Sequence, residues 1–135
     1  MNYQKITPFI AGQIEKIIDR KDILTDIQDI ELYSHDETPG LKSMPEMVVR
    51  VRERGQIIEL LKLCSREKIP ITPRGGGTGL TGGAVPVKGG IVLSFEKMNK
   101  IKEIDRENHM AVVEPGVINA NLQRELAKEG LFYPV

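Results

Sequence analysis

The segment from Pro73 to Gly83 constrains the fold more than any other part of the sequence, because six of its residues are glycine. Glycine loses more backbone entropy on folding than any other residue. A dense glycine run therefore indicates either a backbone that turns through positive φ or a ligand that approaches the main chain closely. A flexible hairpin tip without a ligand is the alternative, but ordinary hairpins need only one or two glycines.

A glycine-rich backbone of this kind is suited to binding an anion. Successive N–H groups that turn inward form a nest for negative charge, and a diphosphate is the obvious ligand. Thr78 and Thr81 can add hydroxyl donors, and Arg74 can add a positive charge. The segment therefore predicts a phosphate-binding loop.

Two common phosphate-binding motifs do not fit this loop. Residues 77–82 match the spacing G-x-G-x-x-G, which indicates a dinucleotide site only where a helix begins inside it. Pro86 and the pair Gly89-Gly90 interrupt any helix there, and the apolar run 91–93 predicts a strand. No Gly-Lys-Ser or Gly-Lys-Thr sequence closes the glycine run, which excludes a Walker A loop. We therefore expect a loop between two strands that binds its ligand by backbone N–H groups.

The segments around this loop predict a small sheet. Short β-rich runs at 47–51, 69–72 and 90–94 predict strands, and the apolar spacing over 56–68 predicts a helix. The order strand, helix, strand, loop, strand predicts a largely parallel βαβ-type sheet with right-handed crossovers. Cys64 lies among the apolar residues of the predicted helix, as a small core residue would.

Further patterns extend this prediction at both ends. Thr7-Pro8 before an amphipathic run predicts a capped helix. The segments 100–104 and 110–113 predict a hairpin, and Asn119 is predicted to cap a last helix that ends at Gly130. The expected fold class is α+β, with a small, largely parallel βαβ sheet, flanking helices and the start of a second mixed sheet.

Residues 22–42 lack a clear hydrophobic period, and we expect mostly irregular structure there. Within them, His35-Asp36-Glu37 suggests a metal site, but three consecutive side chains cannot converge on one ion, so a solvated loop is expected and no metal site. The mixed charges of the segment 50–54 likewise predict a solvated turn.

The charge balance of the chain indicates which kind of molecule it binds. The chain has 135 residues, of which 19 are basic and 19 acidic, so its net charge is zero. Without a positive field, a small molecule is a better candidate partner than nucleic acid or an anionic membrane. The single cysteine cannot form an internal disulfide, and residues 1–20 lack the pattern of a signal peptide. We expect a cytoplasmic chain without a membrane span.

The run PRGGGTGLTGG, the strand–helix–strand pattern before it, and the later segments GGIVLSFEKMNKI and VVEPGV resemble one known family. This is the FAD-binding domain of the vanillyl-alcohol oxidase/p-cresol methylhydroxylase superfamily, in the branch of D-lactate dehydrogenase and the glycolate oxidase large subunit. The resemblance covers Leu32 to the end of the sequence. It implies that the backbone of the loop surrounds the FAD pyrophosphate and that Glu114-Pro115-Gly116 packs nearby. The implied cofactor-binding residues are Pro73, Arg74, Gly75, Gly76, Gly77, Thr78, Gly79, Leu80 and Gly83.

The resemblance also implies how the cofactor is held and used. Members that attach flavin covalently through this loop have histidine at the position of Thr78, so FAD is expected to be bound non-covalently. The implied reaction is the oxidation of a small 2-hydroxy acid of the D-lactate or glycolate type, followed by electron transfer to an acceptor protein or carrier.

No catalytic residue can be assigned, because the family's substrate domain has no counterpart in these residues. We expect a helical and irregular lead-in over 1–44 and the first part of an FAD-binding domain over 45–135, completed by a further C-terminal part of the protein. Such a fragment alone is expected to be inactive. The alternative is a stand-alone, non-enzymatic nucleotide-binding or interaction module.

Overall fold

The central sheet is formed by short runs of β-branched and other apolar residues. The computed structural model describes residues 2–134. Four strands pair in the order β1-β2-β4-β3, namely β1 (Ile23–Leu24), β2 (Met47–Arg50), β3 (Ile71–Arg74) and β4 (Ile91–Ser94). Strands β2, β4 and β3 are parallel, whereas β1 is antiparallel to β2. The predicted parallel sheet is confirmed.

Four α-helices accompany the strands: α1 (Pro8–Glu15), α2 (Ile27–Glu31), α3 (Arg54–Glu67) and α4 (Asn119–Lys128). The hydroxyl of Thr7 caps α1, because its oxygen accepts a hydrogen bond from the N–H of Ile10 at 3.3 Å. The predicted cap of α4 is wrong: Asn119 is the first helical residue, and Ile118 precedes it without a side-chain cap. Gly130 follows α4 with a φ of 72°, the left-handed conformation expected of a glycine that ends a helix.

Most of the core lies on one face of the sheet. Ile14 and Ile18, in and just after α1, pack with Leu60 and Cys64 of α3 against alternate residues of β2 and β4. The four helix-side residues, Ile14, Ile18, Leu60 and Cys64, are each at most 3% exposed. The boundary after residue 44 stays a prediction, although α1, which precedes it, packs on the same core as the strands that follow it.

The opposite face of the sheet is covered by a segment that was expected to be mostly irregular. Residues 22–42 contain β1 and α2, and Ile30 of α2 packs on Val48 and Val92 of the sheet. Elements of two and five residues are too short to show a hydrophobic period, so their positions depend on tertiary contacts.

A second sheet follows the first. Strands β5 (Ile101–Asp105) and β6 (Met110–Val113) form the predicted hairpin and are antiparallel. In its turn, His109 has a φ of 53°, and the N–H of Asn108 donates to the carboxylate of Asp105 at 3.0 Å. Between residues 2 and 134, none of the helices is long and apolar enough to cross a bilayer.

Candidate functional site

The glycine loop leaves the sheet where its parallel strands end. The last residues of β2, β3 and β4 are Arg50, Arg74 and Ser94, and both arginines are in register with Ser94. All three strands therefore end at the same edge. In open parallel sheets, ligands bind outside this carboxyl edge.

The far half of the loop is held by the segment just after α2. The N–H of Gly82 donates to the hydroxyl oxygen of Thr38 at 2.7 Å, and the carbonyl of Gly79 accepts from the N–H of Glu37 at 3.0 Å. The carboxylate of Asp36 accepts from the N–H of Thr38 at 3.0 Å. A hydrogen bond from the Thr38 side chain is the main reason that the pKa of Asp36 lies below its usual value.

Asp36 is only 6% exposed, so the expectation of a solvated loop at His35-Asp36-Glu37 is wrong for the middle residue. Its neighbours His35 and Glu37 are exposed, as expected. Asp36 is buried because residues 36–38 pack against the glycine loop, a contact between segments more than 40 residues apart.

Two loop glycines are required by the backbone itself. Gly77 and Gly82 have φ values of 72° and 73°, in the left-handed region that L-residues with a side chain avoid. A Cβ at Gly77 would overlap the guanidinium of Arg74, and one at Gly82 would lie 2.5 Å from Cδ2 of Leu41. A Cβ at Gly75 would be 3.3 Å from the carbonyl oxygen of Pro115, which is a tight contact.

The other three loop glycines have no such explanation. Gly76, Gly79 and Gly83 are exposed and do not have positive φ. A Cβ at Gly76 would be 3.5 Å from Cδ1 of Ile118, one at Gly79 would be 3.6 Å from the Asp36 carboxylate, and one at Gly83 would contact nothing within 4 Å. Neither backbone conformation nor packing within the described chain requires glycine at these positions. Close approach of a ligand to the main chain would account for glycine at these positions.

The N–H groups of the loop are free to bind such a ligand. Across residues 2–134, the N–H groups of residues 75–81 donate no hydrogen bond, whereas that of Gly82 does. Most of these residues are exposed, and Gly77 among them has a positive φ. A run of available N–H groups that includes a residue in the left-handed region has the composition of an anion-binding nest.

Arg74 contacts the protein rather than open space. Its guanidinium donates to the carbonyl oxygens of His35 at 2.7 Å and Leu32 at 3.3 Å, and lies 5.6 Å from the ring centre of Tyr33. Partial burial lowers the pKa of Arg74 from its usual value. Arg74 thus joins the end of β3 to the end of α2, and any contact with a phosphate stays a prediction.

A pocket of about 360 Å³ adjoins the first loop glycines. Its wall includes Tyr33, Gly75, Gly76, Glu96, Asn99 and Gly116. Gly116 fits there because a Cβ would overlap the carbonyl oxygen of Phe95. The turn at Pro115-Gly116 therefore lies against the glycine loop, as the resemblance implies. Larger cavities, of about 800, 600 and 450 Å³, lie elsewhere: beside Cys64, beside α4 and along residues 25–29.

A chain of polar contacts leads from this pocket across the sheet edge. The hydroxyl of Tyr33 donates to Oε2 of Glu96 at 2.9 Å, and Oε1 of Glu96 is 3.5 Å from Nη1 of Arg50. Burial, and after it the hydrogen bond to Glu96, raises the pKa of Tyr33 to about 12. Arg50 also lies 3.5 Å from Oδ1 of Asp22.

The segment 50–54 is only in part the solvated turn that its mixed charges predicted: Arg52, Glu53 and Arg54 are exposed, whereas Val51 is buried and Arg50 partly buried. Arg50 lies in β2, and Nε of Arg52 contacts Oδ2 of Asp22 at 2.6 Å. Asp22 is 2% exposed, and its hydrogen bond to Arg52 is the main cause that lowers its pKa. Two arginines thus compensate one buried carboxylate, a pairing that charge spacing alone does not reveal.

Comparison with known proteins agrees with this geometry. A family model described as "FAD binding domain" matches residues 45–135. The chain belongs to this family. The chain is 48% identical over 103 residues to glycolate oxidase subunit GlcD of Bacillus subtilis (strain 168), covering 76% of this chain and 22% of that protein. It is 37% identical over 133 residues to D-lactate dehydrogenase of Anaerostipes hadrus, covering 98% of this chain and 28% of that protein.

A solved structure of p-cresol methylhydroxylase with substrate bound has the same fold, with a TM-score of 0.80 and 26% identity. The match covers 96% of this chain and 27% of that chain. The chain thus spans about a quarter of the length of the relatives it matches. The resemblance to the superfamily and the FAD cofactor are confirmed.

The predicted binding residues begin with Pro73 and Arg74, the last two residues of β3, and the rest lie in the loop that follows, up to Gly83. Leu80 is 72% exposed in the loop, and Thr78 is also exposed. Sequence reasoning missed Tyr33, Glu96 and Asn99, which line the adjoining pocket. Glu96 and Asn99 lie two and five residues after the end of β4, so the rule that ligands bind at the carboxyl edge of parallel strands could have indicated them.

Proposed function

We propose that the glycine loop binds the diphosphate of FAD non-covalently, within a flavoprotein that oxidises a small 2-hydroxy acid. The proposal is carried by the N–H groups of residues 75–81, which donate no hydrogen bond within residues 2–134. Gly76, Gly79 and Gly83 support it, because neither a positive φ nor packing requires glycine there. Backbone N–H groups bind a charged oxygen more strongly than a neutral one, which favours a diphosphate over other parts of the cofactor.

The binding residues proposed are those of the loop. The N–H groups from Gly75 to Leu80 would donate to phosphate oxygens, and the hydroxyl of Thr78 can add a donor. Pro73 and Arg74 would fix the start of the loop, since Arg74 ties β3 to the carbonyls of Leu32 and His35. Gly83, with open space around it, would let the chain leave without crowding the ligand.

Non-covalent attachment is supported by the side chains at the site. Thr78 stands where covalently linked members have histidine, and the single cysteine, Cys64, is buried in the core. Denaturation with acid should therefore release all flavin into the supernatant. Flavin that stays with the precipitated protein would contradict this part of the proposal.

The substrate class rests on the relatives. Their names specify glycolate and D-lactate, which are both small 2-hydroxy acids. FAD, when bound, supplies the hydride acceptor for such an oxidation, while the residues described here bind and orient it. An acceptor protein or carrier for the electrons, a further C-terminal part of the protein and a cytoplasmic location also stay predictions. A stand-alone binding module is less well supported, because the relatives named above are oxidoreductases.

The loop can be tested with Gly76→Asp. A carboxylate placed among the N–H groups of residues 75–81 should compete with the diphosphate and repel it, so titration with FAD should show at least about a hundredfold weaker binding. Gly12→Asp is the matched control, because Gly12 lies in α1, has open space around its Cα and carries the same change in charge. Equal affinity of Gly76→Asp and Gly12→Asp for FAD would overturn the proposal.

The reaction needs a separate test. Anaerobic addition of D-lactate or glycolate to the FAD-loaded protein that contains this chain should bleach the flavin absorbance. Flavin that stays oxidised with every 2-hydroxy acid tried would overturn the substrate class and leave the diphosphate site intact.

A further inference from the structure

The pocket beside the glycine loop contains a carboxylate that a diphosphate site does not explain. Glu96 lines this pocket together with Gly75 and Gly76. A negative side chain repels phosphate, and the repulsion is strongest at short range and low dielectric. A diphosphate is therefore not the group that we expect opposite Glu96.

Glu96 retains capacity to accept another hydrogen bond. An ionised carboxylate has about four acceptor positions. Oε2 accepts from the hydroxyls of Tyr33 at 2.9 Å and Ser94 at 3.4 Å, whereas Oε1 has only the longer contact of 3.5 Å with Arg50. The Glu96 side chain is 37% exposed, and the residue lines the pocket.

Asn99 adds a second acceptor to the same pocket. Its Nδ2 donates to the carbonyl oxygen of Glu96 at 3.1 Å, and within residues 2–134 no group donates to its Oδ1. Both terminal nitrogens of Arg74 are directed to the carbonyls of Leu32 and His35. The loop therefore offers hydrogen-bond donors, and the adjoining pocket offers acceptors.

We infer that Glu96 accepts a hydrogen bond from a neutral donor that adjoins the diphosphate in the cofactor. This inference rests on the proposed function. The shared chemistry is a hydroxyl or amino group, which FAD carries on both sides of its diphosphate: ribose and adenine on one side, the ribityl chain on the other. Tyr33 is a positioning residue, because its hydroxyl holds Oε2 of Glu96 and leaves Oε1 with only its longer contact to Arg50.

The test uses Glu96→Gln, which keeps the shape of the side chain and removes its charge. A charge-assisted hydrogen bond is roughly twice as strong as a neutral one, so the affinity for FAD should fall about tenfold. The affinity for inorganic diphosphate, measured by amide chemical shifts, should not fall, because diphosphate has no neutral donor. Glu59→Gln is the control, since Glu59 is an exposed glutamate on α3 with a lysine partner.

Two further ligands identify which side of the cofactor is bound. A loss of affinity for ADP in Glu96→Gln assigns the donor to the adenosine side, and a loss for FMN assigns it to the ribityl side. Tyr33→Phe should weaken the binding of the same ligand by a smaller factor.

Unchanged FAD affinity in Glu96→Gln would overturn the inference, and so would an equal loss for FAD and diphosphate, because the latter indicates a general disturbance of the loop. Neither result would touch the proposed function, which the Gly76→Asp variant tests separately.

Discussion

Replacing Gly77 with alanine should destabilise the fold by about 2–3 kcal/mol, whereas the same change at Gly76 should leave stability intact and weaken FAD binding. At Gly77 the φ of 72° costs an alanine about 1–2 kcal/mol. The new Cβ would also be placed 2.8 Å from Nε of Arg74 and would displace the guanidinium. Loss of the Arg74 hydrogen bonds to Leu32 and His35 adds about 1 kcal/mol.

Gly76 differs in each respect. It has no positive φ, and a Cβ would be 3.5 Å from Cδ1 of Ile118, which is an ordinary contact. Alanine at a compatible position stabilises by about 0.4–1 kcal/mol, because it reduces the entropy of the unfolded chain. The methyl group would, however, stand beside Ile118, which with Gly76 lines the pocket that adjoins the loop, so FAD affinity should fall by at least about tenfold.

Thermal unfolding followed by circular dichroism measures the first effect, and titration with FAD measures the second. At about 4 °C per kcal/mol, Gly77→Ala should lower the melting temperature by about 8–12 °C, while Gly76→Ala should not lower it. Gly12→Ala is the control for FAD binding. The division of the loop into structural and ligand-facing glycines would be refuted if Gly76→Ala unfolded as readily as Gly77→Ala, or bound FAD like wild type.

Two further predictions concern buried groups. The lowered pKa of Asp22 means that its stabilising contribution is present above the ordinary Asp pKa and is lost as the pH falls through the lowered value. Asp22→Asn should therefore reduce the free energy of unfolding at neutral pH by about 1–3 kcal/mol and flatten its loss in acid, as measured by urea denaturation across pH; an unchanged acid profile would contradict this. Burial raises the pKa of Cys64 to about 11, so a thiol reagent at neutral pH should modify it only at the rate of unfolding, and rapid labelling of folded protein would show that Cys64 is accessible.

Much of the fold was predictable where hydrophobic periodicity and turn residues are strong. The parallel strands, α3 and the β5–β6 hairpin follow from local patterns, and Thr7 caps α1 as predicted. The elements between residues 22 and 42 were missed. Strand β1 and helix α2 are too short to carry a period, and they form where they do because β1 pairs with β2 and Ile30 packs on the sheet.

The candidate site likewise has a part that the sequence predicts and a part that it does not. The loop could be located from glycine density alone. Gly77 needs glycine for its positive φ, and at Gly76 the absence of a side chain leaves the main chain open to a ligand. The surroundings could not. Asp36 and Tyr33 precede the loop by about forty residues, and only the folded chain shows that one packs against the loop and the other contacts Glu96. Asn119 shows the limit of local rules, since a residue with good capping propensity became the first residue of the helix instead.

The central claim, that the free N–H groups of residues 75–81 bind the diphosphate of FAD, is tested most directly by ¹H–¹⁵N correlation spectra of the chain during titration with FAD. We expect the amide resonances of residues 75–81 to shift progressively, with Gly12 in α1 unaffected, and inorganic diphosphate to shift the same subset. This method also detects weak binding. The claim would be contradicted if FAD shifted other resonances and not those of the loop. It would also be contradicted if no resonance shifted at millimolar FAD.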